Sequence, residues 1–156
     1  MNEDFLELLS SLLAAEAKFL VIGAYAVGIH GRPRATKDLD IWVEATPENA
    51  VRVVDALTRF GAPLGDLTPS DLDHAGTGFK MGMPPRRIDI LTQIEGITFE
   101  AAWPNRIEAA FGDGVRCPVI GLADILINKR AAGRPQDLAD VAVLERIART
   151  RAPSAR

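Results

Sequence analysis

The chain has 156 residues, 47% of them hydrophobic and 25% charged, with a formal net charge of −3 and a pI near 5.4. That is the size of one soluble globular domain, long enough to bury about 70% of its unfolded surface. The acidic balance excludes binding to nucleic acid or anionic membrane through bulk charge, so any phosphate recognition has to be local. The single cysteine, Cys117, excludes an internal disulfide framework and fits a reducing compartment. It reads as a small buried hydrophobe, because nothing beside it would lower its pKa. The start MNEDFLELL carries acids where a signal peptide carries Lys or Arg. The apolar run from Phe19 to Ile29 is shorter than the roughly 20 residues that cross a bilayer. The expected setting is the cytoplasm, with no membrane contact.

In chain order, residues 2–17 predict a helix with Leu6, Leu9, Leu13 and Ala17 on one face and acids in its first turn. Phe19–Ile22 predicts a buried strand ending at Gly23, followed by a short helix closed by Gly31. After the loop RPRATK, Asp38–Glu44 predicts a strand. Thr46-Pro47-Glu48 is a helix start, with Thr as N-cap and Pro at the first helical position, and that helix ends near Gly61. Val51, Val54, Leu57 and Thr58 are its expected inward face. Residues 62–78 predict a loop with one helical turn at Ser70–His74. Phe79–Met83 and Arg87–Thr92 predict two strands joined by Pro84-Pro85. Phe99–Phe111 predicts a weak helix interrupted by Pro104, and Val115–Ile120 a strand. Leu122–Ala132, stopped by Gly133, and Pro135–Arg149 predict the last two helices. The expectation is one α+β domain over residues 1–150, a mixed β-sheet with flanking helices, and a frayed tail at 151–156.

The stretch RPRATKDLDIWV, Arg32 to Val43, carries the chemistry. Asp38 and Asp40 alternate with Leu39, Ile41 and Val43, so both carboxylates point to one face with Cα atoms about 6.5–7 Å apart. Two carboxylates about 4 Å apart at an effective dielectric near 20 repel by roughly 4 kcal/mol. A bound divalent cation accounts for that cost. The competing reading makes the acids edge-strand solubilisers. Asp89, flanked by Ile88 and Ile90 on another strand, tilts the balance, because a neighbouring strand would bring it to the same spot. Three carboxylates without His or Cys suit Mg²⁺ or Mn²⁺ rather than Zn²⁺. Trp42 is expected on the opposite face, in the core. His30 is expected to cap a helix end and His74 to be solvated. Arg32, Arg34, Lys37, Arg86 and Arg87 read either as ion-pair partners of the acids or as phosphate contacts. At Gly23-Ala24 a strand enters a helix and offers free backbone N–H groups to a phosphate, although such a junction is more often simple packing.

Ile22-Gly23-Ala24, thirteen residues, Asp38-Leu39-Asp40-Ile41 and then Ile88-Asp89-Ile90 resemble the nucleotidyltransferase superfamily related to polymerase β, with its hG[GS], DhDh and later h[DE]h motifs. PRATKDLDIWV together with KRAAGRPQDLADVAVL resembles the small bacterial nucleotidyltransferases grouped with abortive-infection toxins. The resemblance spans residues 18 to about 147 and implies a nucleotidyltransferase-like fold. It implies Asp38 and Asp40 as metal ligands and Asp89 as third ligand or general base. It also implies Gly23, Ala24, Arg34 and Thr36 as nucleotide contacts and Lys129 as a triphosphate clamp, against its simpler role as a helix-end cation. Asp137 or Asp140 would orient Lys129 or Arg134. Ala24 departs from the motif: its backbone N–H remains, but the hydroxyl of a Ser is missing. The implied activity is Mg²⁺-dependent (or Mn²⁺-dependent) transfer of a nucleoside monophosphate from an NTP to a hydroxyl on RNA, protein or a small molecule. A toxin-like role would bring an antitoxin partner and tRNA or protein as acceptor. The alternative is a nucleotide- or partner-binding module that kept the fold and lost turnover.

Overall fold

The computed structural model describes residues 1–33 and 35–151. The acidic start of the chain becomes α1 (Glu3–Ala14), whose Asn2 side chain accepts the Phe5 N–H at 2.9 Å. Its buried stripe is Phe5, Leu8, Leu9 and Leu12, while Leu13 is exposed. The expected stripe through Leu13 and Ala17 is therefore rotated and too long. Glu16 enters the left-handed region (φ 58°) and the N–H of Ala17 turns back to the Leu12 carbonyl, which closes the helix early.

β1 (Phe19–Ile22) follows, buried at every position, then α2 (Gly23–Ile29), β2 (Asp38–Val43) and α3 (Pro47–Phe60). Thr46 caps α3 as its sequence predicts, and Gly61 closes it at φ 89°. The inward face of α3 differs from expectation: Ala50, Val53, Ala56 and Leu57 are buried, whereas Val51 and Thr58 are exposed. The shift of register by one residue has a polar cause. Asn49 is itself buried, accepting the Lys18 N–H at 2.7 Å and donating to the Lys18 and Glu44 carbonyls at 2.9 Å each. This fixes the start of α3 to the ends of β1 and β2.

A single 3₁₀ turn at Pro69–Asp71 replaces the expected turn at Ser70–His74. β3 (Gly78–Met81) and β4 (Arg87–Leu91) then form the predicted hairpin around Pro84-Pro85, a cis peptide. The next segment corrects the sequence expectation. α4 (Phe99–Ala102) stops where Pro104 tightens Trp103–Asn105 into a 3₁₀ turn, and the following residues form β5 (Ile107–Phe111). Glu108, Ala109 and Ala110 favour helix locally, but pairing with β6 (Val115–Val119) through the Gly112-Asp113-Gly114 turn overrides that preference. α5 (Leu122–Ala132) ends at Gly133 as predicted, and α6 (Pro135–Arg151) packs against it. The tail beyond Arg151 lies outside the described residues, and no helix among those described is long and apolar enough to cross a membrane.

Among the described residues the strands form one six-stranded mixed sheet in the order β3-β4-β2-β1-β6-β5. β1 runs antiparallel to β2, with Ile22 opposite Asp40, and β2 runs parallel to β4, with Asp38 opposite Arg87 and Asp40 opposite Asp89. Leu39, Ile41 and Val43, on the other face of β2, are fully buried. Trp42 shares the period-2 face of Asp38 and Asp40, not the opposite one. It is nonetheless core, 1% exposed and edge-on to Phe99 at 5.2 Å. His30 stands at the C-cap of α2 and its backbone N–H bonds back to the Ala26 carbonyl, but the imidazole does not cap the helix. Its buried ring donates from Nε2 to the Ile120 carbonyl at 2.7 Å and ties α2 to the end of β6, and burial holds its pKa below the usual range. His74 is exposed beside Asp73, and Cys117 is buried with its thiol pushed up to about 12, chiefly by burial.

Replacing Asn49 by Ala removes its bonds to the Lys18 N–H and to the Lys18 and Glu44 carbonyls, of which the Lys18 carbonyl keeps the Glu44 N–H. Urea denaturation of Asn49→Ala is expected to show a loss of roughly 1–3 kcal/mol, and a variant as stable as the parent would contradict this placement.

Candidate functional site

Because β2 and β4 run parallel and in register, Asp40 and Asp89 sit side by side on adjacent strands, about 4.8 Å apart at Cα. Asp38 is one pleat further back on β2. Their surroundings differ. Arg87, opposite Asp38, donates from Nε to Asp89 Oδ1 at 3.1 Å, and that carboxylate raises the pKa of the guanidinium. Asp40 is pushed up to about 6, first by burial, then by the charges of Asp89 and Asp38, with Lys129 opposing. Asp38 Oδ1 is buried without a hydrogen-bond partner among the described residues.

Gly23 shapes the same spot. It begins α2 at φ 69°, and a Cβ there would collide with Asp40 Oδ2. Its glycine identity therefore makes room for a carboxylate as well as permitting the strand-to-helix turn. Gly23 and Ala24 border a cleft of about 580 Å³ together with Thr36, Asp38, Asp40 and Lys129. The Thr36 hydroxyl lies in this border but is occupied: it donates to the Asp38 carbonyl at 3.1 Å and accepts the Asp38 N–H at 3.3 Å, fixing the entry to β2. Arg34, the other loop residue implied as a nucleotide contact, lies outside the described residues.

Lys129 is not a free helix-end cation. It is 7% exposed, and its ammonium lies 3.0 Å from Asp137 and 3.2 Å from Asp140, both on α6. Asp137 also takes Arg134 at 2.6 Å; burial alone would raise this carboxyl, but Arg134 and Lys129 together hold it below its usual range. Asp140 takes Arg32 at 3.1 Å and the Gln136 amide at 3.2 Å. Both α6 acids thus orient Lys129, and Arg32 joins them from the loop after α2. The i, i+3 spacing of Asp137 and Asp140 signalled a shared helix face. Nothing in the sequence signalled Gln136, or the dependence of Asp40 on Gly23. Arg86 pairs with Asp4 and Arg130 with Glu145, so the described arginines around the acids do not form an unpaired basic patch.

Among the described residues, no group of three His, Cys, Asp or Glu side chains is drawn together as a closed metal-ligand set. The pair on β2 is the better-prepared element. An orphaned, buried carboxylate oxygen beside a carboxyl of raised pKa is a site that an oxygen-ligated cation would relieve, and the donor chemistry suits Mg²⁺ or Mn²⁺.

Two tests follow from this geometry. In the metal-free protein the raised Asp40 pKa means that the native state holds a proton more tightly than the unfolded chain. That contribution is whole below about pH 4 and lost as pH rises through about 6, leaving a cost of up to roughly 3 kcal/mol at pH 8. Asp40→Asn should therefore be more stable than the parent at pH 8 and lose that advantage toward pH 4; equal gains at both pH values would contradict the burial of this charge. Gly23→Ala and Gly61→Ala share a positive φ, but nothing lies within 4 Å of a Cβ at Gly61. Gly61→Ala should lose about 1–2 kcal/mol through its φ alone, and Gly23→Ala should lose more because its Cβ also meets Asp40. Only Gly23→Ala should abolish the pH-dependent gain of an added Asp40→Asn, as thermal melts of the double variants would show.

A family model described as a nucleotidyltransferase of unknown function (DUF6036) matches residues 2–151. No curated protein matches the chain. With three sheet carboxylates behind a glycine turn and a family match over nearly all of its length, the chain belongs to the DUF6036 nucleotidyltransferases of unknown function.

Proposed function

We propose that the protein is a Mg²⁺-dependent (or Mn²⁺-dependent) nucleotidyltransferase that moves a nucleoside monophosphate from an NTP to an acceptor hydroxyl. The observation that carries this reading is the buried, unpartnered Oδ1 of Asp38 beside Asp40, on the strand that faces Asp89. Asp38 and Asp40 would hold the cation, with Asp89 beside them as third ligand or, in the transfer step, as general base. The cation when bound would offset the charge of the triphosphate and polarise its α-phosphoryl group.

The chain's own residues do the rest. Gly23 and Ala24 let the triphosphate approach the backbone closely. Arg134, on the exposed lip of the cleft, and Lys37 supply charge at its edge. Lys129, buried and held by Asp137 and Asp140, lends its charge from within the wall. Asp89 accepts the proton of the acceptor hydroxyl. The acceptor oxygen bonds to the α-phosphorus, the bond to the bridging oxygen breaks, and pyrophosphate leaves. Arg87 engages one oxygen of Asp89 and leaves the second for that proton. The toxin-like resemblance adds tRNA or protein as acceptor and an antitoxin as partner to this reading.

A second reading has its own observation. Ala24 carries no hydroxyl where the motif has Ser, and Asp40 retains a proton up to about pH 6, so the fold could serve as a nucleotide-binding module without turnover.

Incubation with each α-labelled NTP and Mg²⁺, with and without RNA, protein or small-molecule acceptors, separates the readings. Label moved to an acceptor, and lost in Asp38→Ala, supports the enzyme. Asp89→Asn should lower the rate by roughly 10²–10⁴-fold while nucleotide binding persists. Nucleotide binding without transfer to any acceptor favours the module, and absence of both contradicts the two readings together. Because Asp40 must lose its proton to hold a cation, Mn²⁺ affinity measured by calorimetry should fall as pH drops through about 6; a flat profile from pH 5 to pH 8 would count against Asp40 as a ligand.

A further inference from the structure

The acid-bearing face continues past Asp89. β3, the edge strand, runs antiparallel to β4, with Lys80 opposite Asp89 and Gly78 opposite Leu91. Directly opposed residues on one face have Cβ atoms about 4.5–5.5 Å apart. Lys80 therefore flanks Asp89 on one side as Asp40 flanks it on the other. A second cavity, about 520 Å³, opens beside Lys80, Gly78 and Leu91, the neighbours of Asp89 on this face, although Asp89 itself does not line it. Lys80 and Thr77 border it on the β3 side, Leu91 and Ile94 are its apolar members, and Gln93 and Glu95 lie on the β4 side. It shares no lining residue with the Gly23 cleft, and the Asp40–Asp89 pair lies on the strands between the two.

Lys80 is exposed and makes no ion pair among the described residues. That sets it apart from Arg32, Arg86, Arg87, Lys129 and Arg134, each held by a carboxylate. A lysine on an edge strand commonly discourages edge pairing, but the period-2 position of Lys80 places it on the face of the acids. Glu95, the one carboxylate of this cavity, lies within the field of Arg134 across the cleft.

We propose that this second cavity is the acceptor subsite and that it takes an acceptor bearing a phosphate close to its reactive hydroxyl. The phosphate meets Lys80, sugar hydroxyls meet Gln93 and Glu95, and the reactive hydroxyl reaches Asp89 on the flank opposite the triphosphate. This rests on the nucleotidyltransferase reading and extends it to the substrate class. In the transfer step the acceptor O–H gives its proton to the Asp89 carboxylate, the oxygen bonds to the α-phosphorus, and pyrophosphate departs with the electron pair of the broken P–O bond. A free nucleoside 5′-monophosphate and the 3′-terminal nucleotide of an RNA share this chemistry.

The test uses the full chain saturated with Mg²⁺ and a non-hydrolysable ATP analogue, so that the triphosphate cleft is filled. Binding of the four nucleoside 5′-monophosphates, their unphosphorylated nucleosides, and a 5′-fluorescent oligoribonucleotide with a free 3′-hydroxyl is then measured for the parent, Lys80→Ala and Lys80→Glu. The expected result is that a phosphorylated probe binds and that Lys80→Glu weakens it by about tenfold or more, Lys80→Ala by less, with affinity for the ATP analogue unchanged in Lys80→Ala. In turnover the loss should fall on the KM for the acceptor and spare kcat. Binding of a monophosphate alone assigns a free nucleotide, and binding of the oligonucleotide alone assigns an RNA end. Nucleosides binding as well as their monophosphates, Lys80→Glu binding like the parent, or no probe binding while the ATP analogue does would each overturn the subsite and leave the nucleotidyltransferase reading intact. Failure of the ATP analogue itself to bind overturns both.

Discussion

The parallel pairing of β2 with β4 is the constraint from which the site follows. It places Asp40 beside Asp89 and Asp38 beside Arg87, so one register decides which acids repel and which is matched by a cation. A slip of one residue would turn either Asp89 or the β2 pair to the opposite face. That register is well specified, because the alternate face of β2 carries Leu39, Ile41 and Val43, all fully buried. The antiparallel partner on the other side adds a second condition. β1 sets Ile22 opposite Asp40, and the next residue, Gly23, gives up its side chain to the Asp40 carboxylate.

Two groups of carboxylates meet in this small protein, one buried on α6 and one buried or half-buried on the sheet, and they are treated differently. On α6, Asp137 and Asp140 are matched by Lys129, Arg134 and Arg32. Buried charges of this kind are tolerated when paired and hydrogen-bonded, and removal of one partner strands the other. That cluster ties α5, α6 and the loop after α2 into one wall of the cleft. On the sheet, only Asp89 has a guanidinium. Asp38 has an oxygen without a partner, and Asp40 stays neutral up to about pH 6 in the metal-free protein. Unmet electrostatic demand is therefore concentrated on β2. A fold shaped only for stability has no reason to keep it there, whereas a site that recruits a cation and a triphosphate does.

Much of this was legible in the residues. The alternation of Asp38 and Asp40 with apolar neighbours announced the shared face, and Thr46-Pro47 and Gly133 marked helix ends that the structure keeps. What was not legible depends on contacts distant in sequence. The 107–111 segment reads as helix from Glu108 to Ala110 and becomes a strand only because β6 pairs with it. The inward face of α3 is set by Asn49 bonding to Lys18, thirty-one residues away. Trp42 follows the strand's parity onto the face of the acids and is core there because Phe99 covers it. Lys129 read either as a helix-end cation or as a triphosphate clamp, and its burial required α6 to bring two acids against it. The carboxylates themselves were visible, but their unequal environments needed the sheet.

The central claim is that Asp38 and Asp40 together hold a divalent cation that meets a triphosphate lying along Gly23 and Ala24. Anomalous diffraction from a crystal soaked with Mn²⁺ and a non-hydrolysable NTP tests it most directly. The account predicts an anomalous peak within ligand distance of the Asp38 and Asp40 carboxylates when the nucleotide is bound. A bound nucleotide with no peak at those two carboxylates, or a peak held elsewhere in the chain, would contradict it.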